Sequence, residues 1–122
     1  MVRGSVFQCK FAEGIEKMKR IGTLSKLKPG AADAYIKLHD EIWQGVVDAG
    51  HEANMRNFSI FRIGDYLFSY YEYIGDDFEA DMAKKSALPI SIEWQKATGE
   101  FREIMDGENR FIEIEEIWHH DF

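Results

Sequence analysis

Two neighbouring β-rich segments constrain the fold of this chain more than any other feature of its sequence. Residues 57–63 (NFSIFRI) and 66–74 (YLFSYYEYI) are rich in aromatic and β-branched residues, which favour strands. Gly64 and Asp65 lie between them, and so short a connection predicts a hairpin turn. Because apolar residues occupy both sets of alternate positions, we expect a hairpin that is apolar on both faces.

The patterns on either side of this hairpin predict the rest of the fold. In chain order, we expect a strand at 21–28, a helix at 32–49, the hairpin, helices at 78–85 and 90–105, and a strand at 110–118. This β-α-β-β-α-β order is typical of the α+β ferredoxin-like fold, with one antiparallel sheet and helices on one face. The other face needs a cover, which favours a sheet-to-sheet homodimer of the dimeric α/β-barrel type or a buried ligand pocket.

Charge and composition exclude several classes of partner. The chain has 15 basic and 22 acidic residues and a net charge of −7, so we expect it to bind neither nucleic acid nor an anionic membrane surface. No apolar run is long enough to span a bilayer. The lone Cys9 and the absence of an apolar signal-like segment at the start favour a reducing cytoplasm.

The first residues differ in pattern from the rest of the chain. Residues 1–17 show no clean periodicity, and Met18-Lys19-Arg20 reads like the natural start of a domain. We therefore predict an N-terminal extension at 1–17, ordered or disordered, that precedes a single domain at 18–122.

The first predicted helix carries three polar-tipped rings. Tyr35, His39 and Trp43 are spaced four apart, which places them along one helix face. A phenol and an imidazole exchange hydrogen bonds with hydroxyl groups, and an indole packs on an apolar surface. Imidazole also titrates near neutral pH, which suits proton transfer. Taken alone, however, aromatic and histidine residues on a helix are more often packing residues than ligand contacts. The same holds for Trp94 on the later predicted helix.

A series of short motifs follows the same order along residues 20–119. They are Lys28-Pro29-Gly30, Ala34-Tyr35, His39-Asp40-Glu41-Ile42-Trp43, Asn57-Phe58-Ser59-Ile60, Leu67-Phe68, Glu93-Trp94-Gln95-Lys96 and Ile114-Glu115-Glu116-Ile117-Trp118-His119. In this order and spacing they resemble the L-rhamnose mutarotase family. The first-helix motif is the most specific of them.

The resemblance implies an enzyme that interconverts the α and β anomers of a free monosaccharide. It implies that His39 is the acid/base catalyst, that Tyr35 holds the sugar and that Trp94 lines the sugar's apolar face. Ring opening and closure require proton transfer alone. We therefore expect no cofactor and no metal, and the sequence has neither a Gly-rich phosphate loop nor a nucleophile elbow.

Two departures from the family pattern put the choice of sugar in doubt. Phe58 stands where the family has a substrate-contacting tyrosine, and Gln95 replaces the second tryptophan of a sugar-binding pair. Residues 72–82 resemble a branch of the family that is associated with L-fucose. We therefore expect a 6-deoxy-L-hexose, L-rhamnose first and L-fucose second.

Two other functions remain open at the level of sequence. One is a cofactor-free monooxygenase of the same dimeric fold, acting on a quinol or a polyketide. The other is a non-catalytic sugar-binding or dimerisation module, which the departures at Phe58 and Gln95 leave open.

Overall fold

The computed structural model describes residues 18–122, and the predicted extension at 1–17 lies outside them. In chain order the elements are β1 (Lys19–Lys26), α1 (Ala32–Asp40), α2 (Gln44–Glu52), β2 (Met55–Ile63), β3 (Tyr66–Tyr73), α3 (Phe78–Ser86), α4 (Pro89–Gly99) and β4 (Ile112–Ile114). No helix in this part of the chain has the length and apolar character needed to cross a membrane.

The four strands form a single antiparallel sheet in the order β2-β3-β1-β4. The pairs α1–α2 and α3–α4 each connect two consecutive strands that are not neighbours in the sheet. This arrangement confirms the predicted ferredoxin-like α+β fold. β1 and β3 pair along their whole length, from Lys19 opposite Tyr73 to Lys26 opposite Tyr66, so they form the rigid centre of the sheet.

The predicted helix at 32–49 is two helices. α1 ends at Asp40, and α2 begins at Gln44 after Trp43, whose backbone is extended at φ −70° and ψ 136°. Branched and aromatic residues have low helix propensity, and Ile42 and Trp43 occupy this break. The apolar residues keep the same helical spacing on both sides of the break, so periodicity alone predicts one helix.

The predicted helix at 90–105 and strand at 110–118 are also shorter in the structure. After α4 ends at Gly99, the chain becomes extended beside β1, where Lys28 N donates to Phe101 O at 2.9 Å and Glu103 N donates to Lys26 O at 2.8 Å. These backbone bonds replace the continuation of the helix. β4 pairs with β1 only at Ile112–Ile114, and residues 115–118 have no strand partner in the described chain.

The two faces of the sheet have different surroundings. The inner face packs towards the helices, and its core cluster is Leu27, Ala32, Tyr35 and Leu67. The outer face points away from all four helices. It carries six aliphatic or phenylalanine side chains, which are those of Leu24, Phe61, Ile63, Phe68, Ile112 and Ile114. The predicted two-faced hairpin therefore exists, with one apolar face buried by helices and the other exposed.

Candidate active site

A cavity of about 360 Å³ lies between the inner face of the sheet and the helices α1, α3 and α4. Pockets that hold small molecules begin at roughly this size. Hydroxyl groups of Thr23, Ser25 and Ser69 form part of its floor, and Thr23 and Ser69 hydrogen bond to each other across β1 and β3. The cavity therefore offers polar partners as well as apolar walls.

His39 lines this cavity from the last turn of α1. Its Nδ1 atom lies 3.0 Å from the backbone carbonyl oxygen of Tyr35. A carbonyl oxygen only accepts hydrogen bonds, so Nδ1 must carry the proton of the neutral ring. The Nε2 atom then has a free lone pair and can accept a proton from a ligand.

Burial lowers the pKa of His39 below its usual value of 6.5. The hydrogen bond to the Tyr35 carbonyl and the charge of Asp40 act in the opposite direction, whereas the positive charge of Arg102 adds to the lowering. His39 is therefore neutral at pH 7, which is the form that a general base requires.

Tyr35 is buried beside His39, with the two ring centroids 4.4 Å apart. Burial raises the pKa of the Tyr35 hydroxyl, and the charge of Arg102 opposes the rise. The phenol therefore keeps its proton and can donate a hydrogen bond to a ligand oxygen in the cavity, which it also lines.

Trp94 completes the group from α4. Its ring centroid lies 5.2 Å from that of His39 and 5.0 Å from that of Trp43. Trp94 lines the cavity, whereas Trp43 does not and packs against the edge of Trp94. The sequence predicted that Tyr35, His39 and Trp43 lie along one face of a single helix. This prediction is wrong for Trp43, because the first helix ends before it.

Both residues that depart from the family pattern lie on the cavity wall. Phe58 stacks on Tyr71 with parallel rings 5.4 Å apart, and the Oε1 atom of Gln95 accepts a hydrogen bond of 3.3 Å from Arg102 Nη2. These positions therefore shape the space that is open to a ligand.

Among the cavity residues that sequence reasoning did not single out are Tyr71, Lys85 and Arg102. Burial, together with the charge of Glu113, raises the pKa of Tyr71 to about 12. Strand alternation places Tyr71 on the inner face, so that signal was present in the sequence, whereas Arg102 lies beyond the end of α4 and is placed by the pairing of its segment with β1. Nothing in the sequence pattern distinguishes Lys85 from its neighbour Lys84.

The acidic residues of the hairpin and of the last strand are divided between the two faces of the sheet. Glu113 lines the cavity. Glu72 does not, and it accepts hydrogen bonds from Asn57 and Tyr70. The remaining histidines, His51, His119 and His120, are exposed and lie outside the cavity lining.

The segment that resembles the L-fucose branch fixes α3 to the sheet. The buried Tyr73 hydroxyl donates to Asp81 Oδ2 at 2.6 Å and accepts from Asp77 N at 2.9 Å, while Asn54 Nδ2 donates to Asp81 Oδ2 at 3.0 Å. A Cβ atom at Gly75 would lie 2.6 Å from Asn54 Nδ2, so only glycine fits. These residues position the cavity wall.

The chain is similar to a known protein family and to several solved structures. The family model described as L-rhamnose mutarotase matches residues 20–120 of the chain. The crystal structure of an L-rhamnose mutarotase from Formosa agariphila is 19% identical with a TM-score of 0.68, and the match covers 84% of this chain and 99% of that one. None of the curated proteins matches the chain in sequence.

Other solved structures share the fold at lower similarity. Tetracenomycin F2 cyclase from Streptomyces glaucescens, a type-II polyketide cyclase, is 18% identical with a TM-score of 0.56 over 84% of this chain and 98% of that one. An antibiotic biosynthesis monooxygenase is 10% identical with a TM-score of 0.53 over 82% and 98%. At these identities the similarity shows the ferredoxin-like fold alone.

Proposed function

Because the chain belongs to the L-rhamnose mutarotase family, we propose that it interconverts the α and β anomers of a free 6-deoxy-L-hexose, with L-rhamnose first and L-fucose second. The observation that carries the proposal is the neutral, Nδ1-protonated imidazole of His39, which lies beside the Tyr35 phenol in a cavity of about 360 Å³. Such a cavity accommodates a ligand of monosaccharide size.

In this proposal His39 moves the protons of the reaction. Nε2 accepts the proton of the anomeric hydroxyl while the bond between the anomeric carbon and the ring oxygen breaks. A proton then reaches the ring oxygen, either from the same imidazolium or through a water molecule. The open-chain aldehyde rotates about its bond to C2, and the reverse sequence closes the ring on the other face.

Tyr35 and Trp94 position the sugar for this transfer. The Tyr35 hydroxyl remains protonated because burial raises its pKa, so it donates a hydrogen bond to a sugar oxygen. The indole of Trp94 offers a flat apolar surface next to His39, which suits the C–H face of a sugar ring. Ile21, Met55 and Phe58 are apolar parts of the lining and suit the methyl group of a 6-deoxy sugar.

The proposal includes a homodimer formed through the outer face of the sheet. Phe61 is 60% exposed, Ile63 80% and Phe68 40%, and they lie side by side on β2 and β3. A contiguous apolar surface of this kind on a small domain favours a protein interface. A second copy of the chain would supply a matching apolar face through two-fold symmetry.

The test is the rate of anomer exchange, measured by NMR saturation transfer on L-rhamnose and L-fucose. We expect the wild type to accelerate exchange for at least one of the two sugars. His39→Ala should reduce the enzymatic rate by about 100-fold or more, because general acid–base groups typically contribute 10²–10⁴. His51→Ala is the matched control, since His51 is an exposed histidine on α2.

Equal rates for wild type and His39→Ala would remove His39 from the mechanism. Sugar binding by calorimetry with no acceleration of exchange would favour a non-catalytic binding module. Oxygen uptake with a quinol substrate, and no effect on any sugar, would favour a monooxygenase. The first outcome contradicts the role of His39, and the other two contradict the proposed mutarotase.

A further inference from the structure

Two basic side chains line the cavity without an acidic partner among residues 18–122. Lys85 on α3 and Arg102 after α4 are each partly buried. Neither forms an ion pair within 4.0 Å with any residue of the described chain. The Nε atom of Arg102 is shielded from solvent and has no hydrogen-bond partner, whereas its Nη2 atom donates long bonds of 3.3 Å to Gln95 and Thr98.

These unpaired cations are unexpected in so acidic a chain. The protein has 22 acidic residues against 15 basic ones, so an acidic partner would be readily available. A buried charge without a partner costs free energy. Burial accordingly lowers the pKa of both Lys85 and Arg102. A bound anion would offset this cost.

The position of Arg102 identifies the part of a sugar that would carry the negative charge. Arg102 is close enough to His39 and Tyr35 for its charge to act on the pKa of both groups. In a pyranose, C6 is bonded to C5, which also bears the ring oxygen. A substituent at C6 therefore lies near the oxygen that His39 serves, in the cavity that Arg102 also lines.

We propose that this cavity also takes sugars that carry a carboxylate at C6, with the carboxylate bound by Arg102 and attracted by Lys85. This inference rests on the proposed function, since it assigns the sugar's orientation from His39. A guanidinium donates two parallel hydrogen bonds to a carboxylate, and such bonds are stronger than those to a neutral hydroxyl. The site would then bind hexuronates more tightly than the corresponding neutral sugars.

The other charged group of the cavity limits this attraction. Glu113 on β4 also lines the cavity, and its charge acts on Tyr71. His39 is neutral at pH 7 because burial lowers its pKa. The two cations therefore outnumber the single carboxylate among the ionised groups that line the cavity.

A series of three sugars tests the inference directly. L-Fucose, L-galactose and L-galacturonate share one ring configuration and differ only at C6, as methyl, hydroxymethyl and carboxylate. Calorimetry at pH 7 and low salt should show L-galacturonate bound on the order of tenfold more tightly than L-fucose. Raised salt should reduce this ratio, because screening weakens charge attraction. Saturation transfer should show that L-galacturonate exchanges anomers faster with the enzyme.

Variants separate the roles of the two cations. Arg102→Met should bring the affinity ratio of carboxylate to methyl sugar close to one, and Arg102→Lys should restore part of it. Lys85→Met should reduce the ratio by a smaller factor. Lys84→Met is the matched control, since Lys84 is exposed on the same helix, and it should leave the ratio unchanged.

The possible results distinguish this inference from the proposed function. Faster exchange of L-fucose or L-rhamnose without tighter binding of L-galacturonate would overturn the inference and leave the mutarotase intact. Tighter binding of L-galacturonate that depends on Arg102, with no exchange of any sugar, would support the carboxylate site and contradict the mutarotase. A ratio that persists in Arg102→Met would overturn the role of Arg102.

Discussion

The inner and outer faces of the sheet are made by alternate residues of the same strands, yet they differ in chemistry. On β3, Ser69 and Tyr71 line the cavity, while Phe68 and Tyr70 point the other way. The inner face has hydroxyl groups and charges enclosed by helices, and the outer face has large apolar side chains exposed to solvent. One hairpin therefore supplies both a polar ligand pocket and an apolar surface.

The largest effect should come from substitutions that disrupt the apolar surface on the outer face of the sheet. We expect the double substitution Phe61→Lys and Ile63→Lys to raise the dissociation constant of the dimer by at least about 100-fold, because each large apolar side chain is worth about 1.5–3 kcal/mol when buried. Sedimentation velocity over a range of concentrations measures this change.

Substituting Arg62→Ala, between these two residues on β2, serves as the control and should leave the association unchanged. A wild type that is monomeric at all concentrations would contradict the interface itself.

The pH dependence of the reaction tests the inner face. Because burial lowers the pKa of His39 below 6.5, the neutral base persists to lower pH than for a free imidazole. The value of kcat/KM should therefore be flat above pH 6.5 and fall as pH decreases through a midpoint below it.

Arg102 contributes to that low pKa, so Arg102→Met should move the midpoint to higher pH. Profiles of kcat/KM for both proteins, recorded by saturation transfer at each pH, provide the comparison. A midpoint above 6.5 in the wild type would show that His39 is stabilised in its charged form.

The smallest effect concerns one hydroxyl group on each face. Thr23→Val removes the hydrogen bond that joins Thr23 to Ser69 on the cavity floor, and leaves a partly buried hydroxyl without a partner. We expect a loss of about 1 kcal/mol in the free energy of unfolding, measured by urea denaturation. Ser59→Ala, at an exposed position of β2, should change stability by less than about 0.5 kcal/mol. Equal losses would mean that the two faces do not differ in this respect.

Strand alternation and element order were enough to predict the fold and the two faces of the hairpin. Alternation along a strand places Phe58 and Ile60 on one face and Phe61 and Ile63 on the other, and the first pair lies on the cavity side. The helix break at Trp43 was not predictable, because the apolar spacing stays in phase across it while the backbone turns. The early end of α4 depends on backbone bonds to β1, which are contacts between distant parts of the chain.

The candidate site was predictable only in part. Helical spacing brought Tyr35 and His39 together, and the resemblance to a family added Trp94. The charge pattern of the cavity was not accessible, because Lys85 looks like any lysine on an amphipathic helix until its burial is known. The roles of His39, Tyr35 and Trp94 stay predictions, and so does the choice of sugar.

The hydrogen bond that orients the His39 ring affects how long the ring would keep a second proton. Its Nδ1–H is bonded to a neutral carbonyl of its own helix, whereas a hydrogen-bonded carboxylate would favour the charged ring. An imidazolium formed here would be short-lived and would return its proton readily. Such a ring suits a reversible exchange between two forms of nearly equal energy, in which a proton is borrowed for one bond rotation and then given back.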